Sequence, residues 1–126
     1  MHLFEQKPFP EKYDYLAPDT SEIRLLLEVP GAGVAHCILP AGKISVAVRH
    51  QTVNEIWYVI SGRGELWQGL NAIDEFAELR PGVTLTIKKG NSFQFRNTGN
   101  ADLCILITTS PNWPGAHEAV RVKGYW

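Results

Sequence analysis

The sequence predicts a single all-β domain, and three observations lead there. Short apolar runs recur at intervals of roughly 8–12 residues, the spacing of a β-sandwich or barrel. Gly, Pro and Asn cluster between the runs as turn signals. No window of the 126 residues sustains apolar residues at helical spacing.

The elements follow in order along the chain. Residues 1–21 are rich in proline and aromatics and read as an ordered N-terminal arm. "EIRLLLEV" (22–29) is the first long strand and stops at "PGAG"; "VAHCIL" (34–39) stops at "PAGK". In "ISVAVRH" (44–50), strand alternation puts Val46, Val48 and His50 on one face and Ala47 and Arg49 on the other. "EIWYVI" (55–60) runs through "SGRG" into "ELWQGL", a hairpin signal. "NAIDEF" is looser, with room for a turn or two of helix, before "AELRPG" makes another strand and turn. "TLTI", "SFQFRN" and the apolar "LCILIT" (103–108), separated by "KKGN" and "TGNA", bring the count to about nine strands. Residues 109–126, again broken by Pro and Gly, read as a C-terminal tail packing on the barrel, so that 1–126 is one domain.

Composition narrows the function. A net charge of -1 and no basic run longer than Lys88–Lys89 exclude a nucleic-acid surface. No apolar run reaches the ~20 residues of a membrane-spanning helix. The N-terminus lacks the basic and apolar regions of a signal peptide. Two distant cysteines, Cys37 and Cys104, make no disulfide framework. A cytoplasmic protein is the expectation.

Two glycine-punctuated strings carry a family resemblance. Gly42, His50, Glu55 and Gly62 stand in register with the first motif of the cupin superfamily, and Gly82, Gly90 and Asn97 with the second. The chain thus resembles a small single-domain bacterial cupin, which implies a double-stranded β-helix of jelly-roll type. That family's usual metal set is three histidines and one glutamate. Here Val48 takes the place of one histidine and Phe93 of another, while Lys88 takes the place of the second motif's proline. Valine and phenylalanine offer no lone pair, so two ligands remain of four, too few to hold a first-row metal tightly. The expectation is a degenerate site with no cofactor. A divalent metal held by His50, Glu55 and His36 is the alternative.

The surviving pair suggests other chemistry. Glu55 sits on a strand that otherwise reads "IWYVI", and an unpaired buried charge is costly. It must pair with His50, be hydrogen-bonded, or be protonated, and desolvation would raise its pKa towards that of a general acid or base. Trp57 and Val59 share the parity of Glu55, and Phe95 shares that of Phe93. Trp57, Phe93 and Val48, with His36, are read as substrate-binding residues for an apolar or aromatic ligand, and Val59 and Phe95 as core. His36 contributes a ligand or proton relay if it faces inward and is a surface histidine if outward, and parity leaves both open. Its neighbour Cys37 must point to the opposite face, so the two cannot act together. Arg49, Gln94 and Arg96 alternate away from the cavity, and Trp113 or Trp126 could cover its mouth.

Three functions follow. The first is a metal-independent enzyme of isomerase, cyclase, dehydratase or decarboxylase type, with Glu55 and His50 as acid/base. The second is a metal-dependent cupin with dioxygenase or isomerase chemistry. The third is a binding barrel without catalysis. The resemblance also implies a homodimer, with the arm or "EIRLLLEV" pairing against a partner's sheet edge.

Overall fold

The computed structural model describes residues 3–126, so His2 lies outside the described residues. Among the described residues, eleven strands build two antiparallel sheets. The first has the order β1 (Tyr15–Leu16), β2 (Glu22–Val29), β3 (Ala32–Leu39), β10 (Leu103–Ser110), β5 (Asn54–Ser61) and β8 (Thr84–Ile87). The second has the order β11 (Ala119–Arg121), β4 (Val48–His50), β9 (Ser92–Asn97), β6 (Gly64–Leu70) and β7 (Ile73–Leu79). Among the described residues the one helical element is a short 3₁₀ turn, Ala116–Glu118. Among the described residues no helix is long and apolar enough to cross a membrane.

Alternation along the strands fills the space between the sheets. Ile23, Cys37, Ile105 and Val59 lie opposite one another in a row across β2, β3, β10 and β5. They face Leu66 and Phe95, which are paired across β6 and β9. Leu39, Leu79 and Leu103 close the same cluster, all fully buried. Burying each such side chain stabilises the fold by roughly 1.5–3 kcal/mol.

The turns at this end of the barrel are fixed by backbone geometry. Gly62 has φ 92°, and a Cβ there would lie 2.5 Å from the Asp102 carbonyl oxygen. Asn97 Nδ2 donates to the carbonyls of Leu39 and Ala101, and its Oδ1 accepts from the Gly99 amide. One side chain thereby ties three chain segments together.

Two expectations need correction. "NAIDEF" is neither loose nor helical: Leu70 pairs with Ile73, and β6 and β7 form a two-residue hairpin. Asn71 (φ 52°) and Ala72 (φ 64°) both adopt the left-handed conformation that such a turn demands. Alanine rarely does so, which hides the turn in the sequence. "ISVAVRH" enters the ladder only at Val48, apart from a bridge between Ile44 and Arg96. The Val46 amide instead donates to the Asp19 carbonyl at 3.0 Å, diverting the chain to hold the turn that follows the arm. The arm itself lies along its own β2, where Lys7 Nζ donates to the Leu25 carbonyl and Arg24 binds the carbonyls of Pro10 and Glu11.

Candidate functional site

The two sheets part at one end, leaving a cavity of about 300 Å³ lined from β2, β3, β4, β5, β9 and β10. Val48 and His50 reach it from β4, Glu55 and Trp57 from β5, Phe93 from β9, and Ile107 and Thr109 from β10. Each shares the inward parity of its strand. Five predicted site residues, Glu55, His50, Trp57, Phe93 and Val48, therefore meet at one cavity. Val59 and Phe95 lie deeper in the core and do not line it.

Glu55 is 7% exposed. Its Oε1 accepts a hydrogen bond from Trp57 Nε1 at 2.9 Å, and its Oε2 a longer one from Thr109 Oγ1 at 3.5 Å. The indole can reach back because residues two apart on a strand share a face. Burial pushes the Glu55 carboxyl up to about 7; the Asp19 charge adds to the rise, and the two hydrogen bonds oppose it. Near neutral pH the group is balanced between acid and base.

His50 is as buried and more isolated. Its ring packs edge-on against Phe93 and Trp113, with centroids 5.1 and 5.2 Å away. Its Nδ1 has no hydrogen-bond partner among the described residues. Burial lowers its pKa to about 4, with Glu118 pulling weakly the other way. The imidazole is thus neutral at physiological pH. Of the three ways to accommodate a buried Glu55, hydrogen bonding is the one seen: the carboxylate accepts from Trp57 and Thr109, and among the described residues it forms no ion pair with His50. The two groups stand on separate walls, His50 on β4 and Glu55 on β5.

His36 is the other correction. It lies opposite Arg24 and Leu106 on the outer face of its sheet, with its ring edge-on to Phe9 of the arm at 4.7 Å. It neither lines the cavity nor reaches Glu55, while adjacent Cys37 points inward. Trp113 does line the cavity, whereas Trp126 stacks under the Arg96 guanidinium on the outer face of the second sheet. Gln94 is spent on the tail, accepting from the Tyr125 and Trp126 amides.

The donor set does not fit a metal. No three His, Cys, Asp or Glu side chains group as a metal site among the described residues. His36 is on the wrong face, and Val48 and Phe93 fill with hydrocarbon the places where ligands would stand.

Sequence reasoning missed Tyr15, Asp19 and Ser21. All three line the cavity from the segment that ends the arm. Asp19 Oδ1 accepts from both the amide and the hydroxyl of Ser21. Thr20, between them, is held at φ 74°, a costly conformation for a β-branched residue. Burial raises the Asp19 pKa against the pull of those bonds, and raises that of Tyr15, with Glu55 adding to the latter. Strand parity gives no signal for Asp19, because the turn at Thr20 separates it from β2, which begins at Glu22.

Comparison with known proteins bears on the fold. The family model described as Cupin domain matches residues 35–109. An uncharacterized protein of Methanocaldococcus jannaschii is 32% identical over 114 residues, covering 86% of each chain. The capsular polysaccharide assembling protein CapF of Staphylococcus aureus superposes with a TM-score of 0.71 at 20% identity, over 84% of this chain and 33% of that one. The chain thus spans about a third of the length of CapF. An uncharacterized conserved protein with a double-stranded beta-helix domain from Klebsiella pneumoniae superposes with a TM-score of 0.68 at 20% identity, over 98% of this chain and 99% of that one.

Proposed function

We propose that this chain, which belongs to the cupin family, is a small-molecule enzyme whose Glu55 moves a proton inside an apolar cavity. One observation carries the reading. A buried carboxyl, poised at about 7 and oriented by Trp57 and Thr109, faces a space of ligand size. In the base form, Glu55 takes a proton from a carbon next to a carbonyl, and the bonding pair moves towards the carbonyl oxygen. In the acid form it returns that proton at the same or a neighbouring carbon. Trp57 and Phe93 confine an apolar or aromatic body, and neutral His50 presents one lone pair and one N–H to the substrate. Isomerisation and cyclisation fit this proton traffic. In dehydration the acid form would instead protonate the departing hydroxyl, which leaves as water, and in decarboxylation it would protonate the carbon from which CO2 has left. No metal takes part in these steps.

The test is hydrogen–deuterium exchange followed by proton NMR in heavy water, with a panel of aryl and alkyl carbonyl compounds. The wild type should wash out α-hydrogens of at least one compound well above the buffer rate, and Glu55→Gln should lose most of that excess while remaining folded. Exchange undiminished in Glu55→Gln, or none with any compound, contradicts the reading. Ligand binding without exchange would indicate a binding barrel.

A further inference from the structure

We propose that the cavity selects a positively charged head group, an amine carried on an apolar body, with Asp19 as its principal counter-charge. The inference rests on the proposed function only for the role of Glu55 as base; the charge preference stands without turnover.

The lining is one-sided in charge. Asp19 and Glu55 lie inside the cavity and Glu28 at its mouth, and no lysine or arginine lines it. The nearby cations are turned away: Arg24 lies on the outer face beside His36, Arg49 is exposed, and Arg96 pairs with Glu65 at 2.8 Å. A carboxylate ligand would enter against two buried acids with nothing to receive it. In such a low-dielectric space, like charges repel and opposite charges attract far more strongly than in water.

The hydrogen-bonding balance points the same way. His50, 4% exposed, lines the cavity with Nδ1 unpartnered. Ser21 donates twice to one oxygen of Asp19, a pull towards the ionised form that burial outweighs while no cation is near. A bound ammonium would supply the counter-charge that no side chain provides. Neutral His50 offers one donor and one acceptor, the carboxyl groups of Asp19 and Glu55 offer acceptors, and no lysine or arginine lines the space; an ammonium supplies only donors. The walls suit the rest of such a ligand, since Tyr15, Trp57, Phe93 and Trp113 are faces on which a cation is stabilised. The strained Thr20 turn, anchored by the Val46 amide, serves to hold Asp19 in this position.

The experiment is calorimetric titration of the full chain at neutral pH with three compounds of one shape: phenethylamine, phenethyl alcohol and phenylacetate. The amine should bind about tenfold or more tightly than the alcohol, and phenylacetate weakest of all. Asp19→Asn, which keeps the acceptor for Ser21, should bring the amine down to the level of the alcohol. Glu28→Gln at the exposed mouth should reduce amine binding only a few-fold. Equal affinities, tighter phenylacetate, an amine preference that survives Asp19→Asn, or no binding of any of the three would each overturn the proposal. An amine preference without deuterium exchange would sink the proposed catalysis and leave this inference standing.

Discussion

The two ends of this barrel are built from the same strands but obey different rules. At the closed end, Leu39, Leu66, Leu79, Phe95 and Leu103 pack to full burial. Gly62 and Asn97 set the turns around them. At the open end the same alternation delivers Asp19, His50, Glu55 and Tyr15 to a cavity, each with its proton affinity displaced by burial. The first motif spans both ends, with Gly62 at one and His50 and Glu55 at the other. Stability is concentrated where backbone and hydrocarbon decide everything, and chemistry where burial is left uncompensated.

The largest effect should come from breaking the closed end. Gly62→Val places a branched side chain at φ 92° against the Asp102 carbonyl. It should destabilise the protein by on the order of 4 kcal/mol, read by chemical denaturation. Glu55→Gln at the open end should do the reverse. Proton-transfer activity should fall about a hundred- to ten-thousand-fold, while the unfolding midpoint holds or rises.

The open end should also govern the pH dependence of stability. Glu55 holds its proton up to about 7 when folded and to about 4.3 when unfolded. The folded state keeps the extra proton in that window, so this contribution falls as pH rises through it, by on the order of 3 kcal/mol. His50 behaves oppositely: its pKa of about 4 when folded lies below the unfolded value of about 6.5. Its contribution is therefore lost as pH falls from about 6.5 to 4, by a similar amount. The two offset each other between about pH 4.5 and 6.5. Above that, Glu55 acts without His50, and unfolding free energies should decline from about pH 6.5 to 7.5. Glu55→Gln should flatten that decline; a decline persisting in the variant would point elsewhere.

The smallest effect sharpens the comparison at a single hydrogen bond. Trp57→Phe removes the indole donor to Glu55 Oε1 while keeping an aromatic wall. The pKa of Glu55 should rise further, because the lost bond favoured the charged form, and stability should change by about 1 kcal/mol.

The closed end was largely legible in the sequence. Gly62 takes a positive φ and Asn97 ties the neighbouring carbonyls, which their places in the two motifs foreshadow. The residues of the open end were legible individually through parity, which placed Val48, His50, Glu55, Trp57 and Phe93 on inward faces. Their mutual geometry was not. Parity says which face of a sheet a side chain occupies, but not whether His50 and Glu55 share one wall or stand on two. It could not orient His36 either, since that needed the register of β3 against β2 and β10. Asp19 was overlooked because it precedes the first long strand, in a turn held by tertiary contact with the Val46 amide. Ala72 defeated local rules outright by taking a conformation usually left to glycine or asparagine.

The central claim is that Glu55 is a buried carboxyl poised near neutrality. Carbon-13 NMR of the side-chain carboxyls across the pH range tests it most directly, with Glu55→Gln identifying the resonance. A midpoint near 7 is the predicted result. A midpoint near 4.3, the ordinary glutamate value, would contradict the account and leave the open end a cavity without its acid/base.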